Sequence, residues 1–276
     1  MSTHPVQGSL VAITGGARGI GLATAQYLIR LGARVAIGDI DKDAAFGVSE
    51  ALGGHAHGFA LDVTDRDSFT NFLQQAQDTF GPLSVLINNA GIMPIGPFLG
   101  QRVDIQDRAV DINLHGVLNG MRLALPGMIE RQRGHIINVA STAGKAPVPG
   151  GLVYGATKAA VASLTETARV EFGGTGVEFT CVLPSFTNTE LIAGTKGLKG
   201  FRTIEPEDVA HAIGDAIRKP EPEKYVPAIV GTTLAVQPLI PRSARDRINR
   251  ALGGYDTFLD VDQAARHGYD ERIGGN

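Results

Sequence analysis

Tyr154 and Lys158 stand four residues apart in the stretch VYGATK, which runs on into a series of alanines. On a helix that spacing puts both side chains on one face, about 6 Å apart along the axis. A tyrosine ordinarily titrates near pH ~10, too high for a base around neutrality, and an ammonium beside it favours the phenolate and lowers that value. Such a pair can give and take a proton. The same pair also fits amphipathic packing with a solvated head. The choice depends on whether the rest of the chain supplies a cofactor, a partner and room for a substrate.

The stretch TGGARGIG (14–21) bears on the cofactor. Gly15, Gly19 and Gly21 lie between an apolar run, SLVAIT (9–14), and a helical pattern, IGLATAQYLIRLG (20–32). Lacking Cβ atoms, such a turn takes positive φ and brings backbone N–H groups against a pyrophosphate. The helix start adds about half a unit of positive charge. The spacing is G-x-x-x-G-x-G rather than the more general G-x-G-x-x-G, with Arg18 and Ile20 inside the loop. Asp39, at the end of the next apolar run, is placed to accept from both adenosine ribose hydroxyls and to repel a 2′-phosphate. Arg18 pulls the other way, since a guanidinium suits phosphate. Ile40 offers no cation, so the balance favours NAD over NADP. Asp62, followed by Val63, is a candidate for the adenine amine; its alternative role is to cap the helix that starts in TDRDS.

The elements that must position these residues follow an alternation. Apolar runs at 9–14, 33–38, 55–63, 83–89, 135–141, 177–184 and 224–231 read as strands. Helical patterns at 20–32, 42–52, 65–80, 102–132, 152–172 and 205–219 fall between them, with Asp65 a candidate N-cap and Pro206 near a first helical position. Strands that are nearly all apolar belong to a parallel sheet covered on both faces. The expectation is one α/β, Rossmann-type, doubly wound domain of about seven strands. Residues 1–231 form its dinucleotide-binding part and 232–276 a partly helical extension, packed on the same domain or on a neighbouring subunit.

Composition narrows the classes. Hydrophobic residues at 43% and charged residues at 19% argue against disorder. A net charge of −3 gives no field for nucleic acid. The single cysteine, Cys181, permits no intrachain disulfide and lies in an apolar run, where a small core residue is expected. No basic n-region with a cleavage site opens the chain, and no run of 18 apolar residues occurs, so a soluble, cytoplasmic protein is expected.

In this order TGGARGIG, the Asp62-Val63 pair, NNAG (88–91), Asn113, Ser141 and YGATK resemble the short-chain dehydrogenase/reductase family, over residues 9 to about 231. The resemblance implies that Asn89, Ala90 and Gly91 line the cofactor site near its ribose and the central sheet. Asn88, read locally, also suits a turn. It implies that Tyr154 is the acid/base, aided by the positive nicotinamide ring, and that Lys158 also binds the nicotinamide ribose. Ser141 would hold the substrate oxygen. Asn113 would bend its helix and hold a water that links Lys158 to solvent. Dimers and tetramers through the helices at 102–132 and 152–172 are implied as well.

One segment departs from the family pattern. Where Pro-Gly and then a threonine are usual, this chain has Pro184, Ser185, Phe186, Thr187, Asn188 and Thr189. Pro184 and Thr189 match, and Thr187 is placed to meet the nicotinamide carboxamide. Ser185 replaces the glycine, and an ordinary turn conformation is expected there. Substrate contacts fall to IMPIGPF (92–98), TAGKAPVPGGL (142–152) and SFTNTELIAGTKGLKGF (185–201), the last with the glycines of a mobile lid. Met93, Val148, Phe186, Leu191 and Ile192 suggest an apolar alcohol or ketone. In the extension, Ile240, Ala244, Ile248 and Leu252 recur every four residues among Arg242, Arg245, Arg247 and Arg250. Such a helix packs on its own domain, or less commonly on a membrane surface.

These readings converge on an NAD(H)-dependent oxidoreductase acting between a secondary alcohol and a ketone. An NADP-dependent carbonyl reductase and a non-catalytic NAD(H)-sensing protein are the alternatives. Neither a metal nor nucleic acid is called for.

Overall fold

Along β1 (Leu10–Thr14), Leu10 and Ala12 enter one apolar core while Val11 and Ile13 enter another. That alternation is the signature of a strand covered on both faces. The computed structural model describes residues 6–197, 200 and 202–274. Leu198, Lys199 and Phe201, part of the expected lid, lie outside the described residues.

After β1 come α1 (Gly19–Arg30), β2 (Arg34–Asp39), α2 (Lys42–Leu52), β3 (Ala56–Ala60), α3 (Arg66–Phe80) and β4 (Leu83–Asn88). Then follow α4 (Val103–Val110), α5 (Gly116–Glu130), β5 (Gly134–Val139), α6 (Leu152–Glu171) and β6 (Val177–Pro184). The chain continues through α7 (Pro206–Arg218), β7 (Glu223–Val226), α8 (Ala228–Val236), α9 (Arg242–Ala251) and α10 (Gln263–Arg272). The strands form one parallel sheet in the order β3-β2-β1-β4-β5-β6-β7. Leu28 of α1, Ala45 of α2 and Ile213 of α7 pack into one face. Phe69 and Phe72 of α3, Met121 and Met128 of α5 and Val161 of α6 pack into the other.

Strand order reverses between β1 and β4, so their carboxyl ends open a crevice at the switch point. Asp65 caps α3 by accepting from the N–H groups of Asp67 and Ser68, which leaves Asp62 free of that duty. Asn88 is not in a turn: it ends β4, buried, and its amide donates to Asn138 at 2.8 Å. Cys181 is buried in the core, and burial pushes its thiol up to about 12.

Three expected elements differ. The third strand ends at Ala60, well short of Val63. The helix expected across 102–132 is interrupted by one wide π-turn, Asp111–His115, around Asn113. The last strand stops at Val226 rather than 231, because Pro227 has no N–H to extend a ladder and the chain turns there into α8. The boundary expected at residue 231 therefore falls inside a helix.

Candidate active site

The crevice holds a cavity of about 1180 Å³. It is lined by Gly15, Arg18, Gly19, Ile20, Asp39, Asp62, Val63, Asn89, Ala90, Gly91, Ser141, Tyr154, Lys158, Pro184, Thr187 and Thr189. Two expected site residues, Gly21 and Asn113, lie behind that lining and support it.

Each glycine of the first loop has its own reason. Gly15 and Gly19 have φ of +63° and +50°, in the left-handed region that favours glycine. Gly21 has no such angle, but a Cβ there would sit 2.2 Å from the Gly15 carbonyl oxygen, so only glycine lets α1 start against the loop. Asn89 braces the loop from β4: its amide donates to the carbonyls of Thr14 and Gly15 at 3.0 and 2.9 Å. The Thr14 hydroxyl in turn accepts from the N–H groups of Asn89 and Ala90. The Asn89 amide nitrogen is thus spent on the loop, not turned toward a ligand.

Asp39, at the carboxyl end of β2, is buried, and its two oxygens accept from the N–H groups of Ala17 and Asp41, each at 3.1 Å. Arg18 is held by Asp41 at 2.6 Å, and that bond keeps Asp41 below the usual carboxylate range. Asp62 accepts from the Thr64 N–H and hydroxyl and lines the cavity with Val63. A loop shaped for close backbone approach, beside a carboxylate with lone pairs to spare, fits a dinucleotide.

Across the cavity, Ser141 follows β5 and Tyr154 and Lys158 project from the first turns of α6. Ser141 and Tyr154 both face the cavity, and Ser141 favours the ionised form of the Tyr154 phenol. The Lys158 ammonium donates to the Val139 carbonyl at 2.8 Å and lies 5.8 Å from the centre of the Tyr154 ring. Electrostatics here depart from the expectation. Burial raises the pKa of Tyr154 against the lowering effect of Ser141, and burial brings Lys158 down to about 8. The ammonium lies beside the tyrosine, but withdrawal from water outweighs it in the protein alone.

Asn113 is fully buried, and both its amide atoms have protein partners. Its oxygen accepts from the Ile92 N–H, while its nitrogen donates to the Ile92 carbonyl and to the Thr157 hydroxyl. Thr157 is the neighbour of Lys158 and donates to the Tyr154 carbonyl at 2.8 Å. The π-turn therefore ties the chain after β4 to the helix that carries the Tyr154/Lys158 pair. Ser185 takes an ordinary backbone conformation, since Gln132 alone among the described non-glycine residues has positive φ. Its N–H donates to the Val226 carbonyl.

Met93, Val148, Phe186, Leu191 and Ile192 do gather around Tyr154. The same cluster contains a residue not anticipated, Phe258, which is buried 5.7 Å from Phe186 between ring centres and lies against Gly150 and Gly151. Behind it, Arg266 is 1% exposed and donates to the carbonyls of Met93, Leu191 and Ala193. Arg272 pairs with Glu190, and Lys196 with Asp260. The segment expected as a mobile lid is thus fastened at its described residues by the extension. On α9, Arg242, Arg245, Asp246, Ile248 and Asn249 line the cavity, as do Ile240 before it and Leu252 after it, and Ala244 does not.

Comparison with known proteins matches residues 9–197 to the model of the short chain dehydrogenase family. An oxidoreductase of Staphylococcus aureus is 34% identical over 213 residues, 77% of this chain and 92% of its own length. The glycine betaine reductase ATRR of Emericella nidulans is 35% identical over 231 residues, and there this chain spans only 18% of the relative's length. Among solved structures, the 3-ketoacyl-(acyl-carrier-protein) reductase of Brucella melitensis complexed with NADH superposes with a TM-score of 0.73 at 26% identity, over 80% of this chain and 97% of that one.

Proposed function

The chain belongs to the short-chain dehydrogenase/reductase family, and on that premise we propose that it interconverts a secondary alcohol and a ketone, with NAD(H) as cofactor and Tyr154 as acid/base. The observation that carries the reading is the gathering of buried Ser141, Tyr154 and, four residues on, Lys158 in the cavity that the glycine loop also enters.

Gly15, Arg18, Gly19 and Ile20 would hold the pyrophosphate, with Gly21 and Asn89 keeping that loop in shape. Asp39 would take the adenosine ribose, and Asp62 and Val63 the adenine. Ala90, Gly91, Tyr154 and Lys158 would surround the nicotinamide ribose, and Pro184, Thr187 and Thr189 the carboxamide. When bound, the dinucleotide supplies or accepts the hydride. NAD is favoured over NADP because Asp39 occupies the end of β2 and the arginine of the glycine loop, Arg18, is already held by Asp41. The NADH in the Brucella reductase accords with this.

In ketone reduction the Tyr154 hydroxyl passes its proton to the substrate oxygen, while Ser141 holds that oxygen and stabilises the charge developing on it. The Lys158 ammonium stabilises the phenolate left behind, and Asn113, through Ile92 and Thr157, keeps Lys158 in place. In alcohol oxidation the phenolate takes the proton back. Met93, Phe186, Leu191 and Phe258 exclude water around these atoms and suit an apolar substrate. We further read residues 1–231 as the dinucleotide-binding unit with 232–276 packed on it, working in the cytoplasm. The exposed Val103, Leu152 and Val170 of α4 and α6 suit a homodimer or homotetramer. Among the described residues no helix is long and apolar enough to cross a membrane.

Replacing Tyr154 by Phe tests the assignment. The variant is expected to fold, to bind NADH as the parent does in calorimetry, and to lose turnover by about 10²–10⁴-fold. Turnover close to that of the parent would sink it.

A further inference from the structure

The arginines around the cavity fall into two groups. Arg18 is paired with Asp41 and Arg272 with Glu190, and Arg108 donates to the Ile273 carbonyl. Arg202, Arg242 and Arg245 also line the cavity, yet none has an ion pair among the described residues. Arg242 and Arg245 are three apart on α9, so they share the face that looks into the cavity, and Asn249 and Leu252 continue that face. The Nε of Arg245 is shut off from solvent with no hydrogen-bond partner. A buried, unpaired guanidinium N–H is costly, and an anion is the partner that relieves it most, through charge-assisted hydrogen bonds. The neighbouring Asp246 also lines the cavity, but its side chain is on an exposed residue and does not reach Arg245.

Nothing near Tyr154 performs this task. The polar groups beside it are Ser141 and Lys158, whose ammonium donates to the Val139 carbonyl; the hydrophobic side chains clustered with it come from elements other than α9. We infer that the substrate is amphiphilic: an apolar body lies against Met93, Phe186 and Phe258, and a terminal anion, carboxylate or phosphate, is received by Arg245 and Arg242. This rests on the oxidoreductase reading for the position of the reacting carbon. The anion site itself stands on α9 and the cavity. It also gives the arginines of the extension a ligand within the cavity rather than on a membrane.

Binding, not turnover, tests the site, so failure here is distinct from failure of the redox assignment. Calorimetry would compare decanoate, decyl phosphate and decanol on the NADH-loaded protein. The parent is expected to bind one of the two anions at least tenfold more tightly than decanol, and the tighter anion identifies the head group. In the Arg242→Met/Arg245→Met double variant the ratio should fall towards one. Arg247→Met, on a residue outside the cavity lining, should keep it. Equal affinity of the parent for all three ligands would overturn the inference, as would a preference that survives the double variant. A double variant that binds NADH more weakly would also overturn it, by assigning these arginines to the cofactor's phosphates. A melting temperature within a few degrees of the parent's for each variant guards against misfolding as the cause.

Discussion

The backbone N–H of Met93 donates to the hydroxyl of Tyr269 at 2.8 Å, joining the wall of the substrate pocket to α10 across 176 residues of chain. Arg266, one turn earlier, donates to the Met93 carbonyl, so both polar groups of that peptide are satisfied by the extension. The pocket wall is thus incomplete without residues far from the dinucleotide fold.

Tyr269→Phe keeps the ring and removes the acceptor, leaving the Met93 N–H buried and unpaired. The expected cost is about 1–3 kcal/mol in urea unfolding. The KM for the carbonyl substrate should rise while the NADH dissociation constant stays put, because Met93 contacts the substrate side alone in the proposed arrangement. An unchanged KM with full stability would show that the link has no part in shaping the pocket.

Cofactor choice offers a second test. Asp39 is expected to repel a 2′-phosphate, and Asp41 keeps Arg18 from meeting one. Asp39→Ala should raise kcat/KM for NADPH relative to NADH on the order of tenfold, about 1.4 kcal/mol. Adding Asp41→Ala frees Arg18 and should raise it again. A ratio that does not move in either variant would show that selectivity is set elsewhere.

What could be read from the residues beforehand follows physical reach. Strands β1, β2, β4, β5 and β6 were legible because burial on both faces makes them continuously apolar. The glycine loop, Ser141 and the Tyr154/Lys158 pair were legible because their spacing is local. The end of β7 was not, because PAIV has strand-like side chains and only the missing N–H of Pro227 marks the turn into α8. Phe258, Arg266 and Tyr269 were missed for a different reason. Their partners, Phe186, Met93 and Leu191, lie some 70 to 180 residues upstream, beyond any pattern in a window. In the protein alone burial raises Tyr154, an effect hidden in the sequence because a charge at four residues is visible there whereas desolvation is not.

Desolvation also sets a pH dependence. Lys158, lowered by burial to about 8, is protonated below that value and neutral above it. Tyr154, raised by burial, remains a proton donor through this range. Ketone reduction should therefore decline as pH rises through about 8, the limb belonging to the lysine. Lys158→Arg keeps a cation at all accessible pH. In whatever activity that variant retains, the limb near 8 should vanish from the kcat profile. Persistence of the same limb would assign it to another group.

Two glycines make a paired test of the loop. At Gly21 an added Cβ would meet the Gly15 oxygen at 2.2 Å and the Asn89 amide nitrogen at 2.8 Å, all parts that cannot yield without opening the loop. Gly47 lies exposed on α2 with nothing within 4 Å of its virtual Cβ. Alanine at Gly47 should stabilise the protein by about 0.5–1 kcal/mol, the ordinary gain of replacing glycine inside a helix. Alanine at Gly21 occupies a helix too, yet should destabilise and weaken NADH binding more than tenfold, because the contact with the loop outweighs the propensity. Equal gains at both positions, measured by thermal melts and NADH titration, would mean that α1 does not need to start against Gly15 and that the loop's shape is not what holds the dinucleotide.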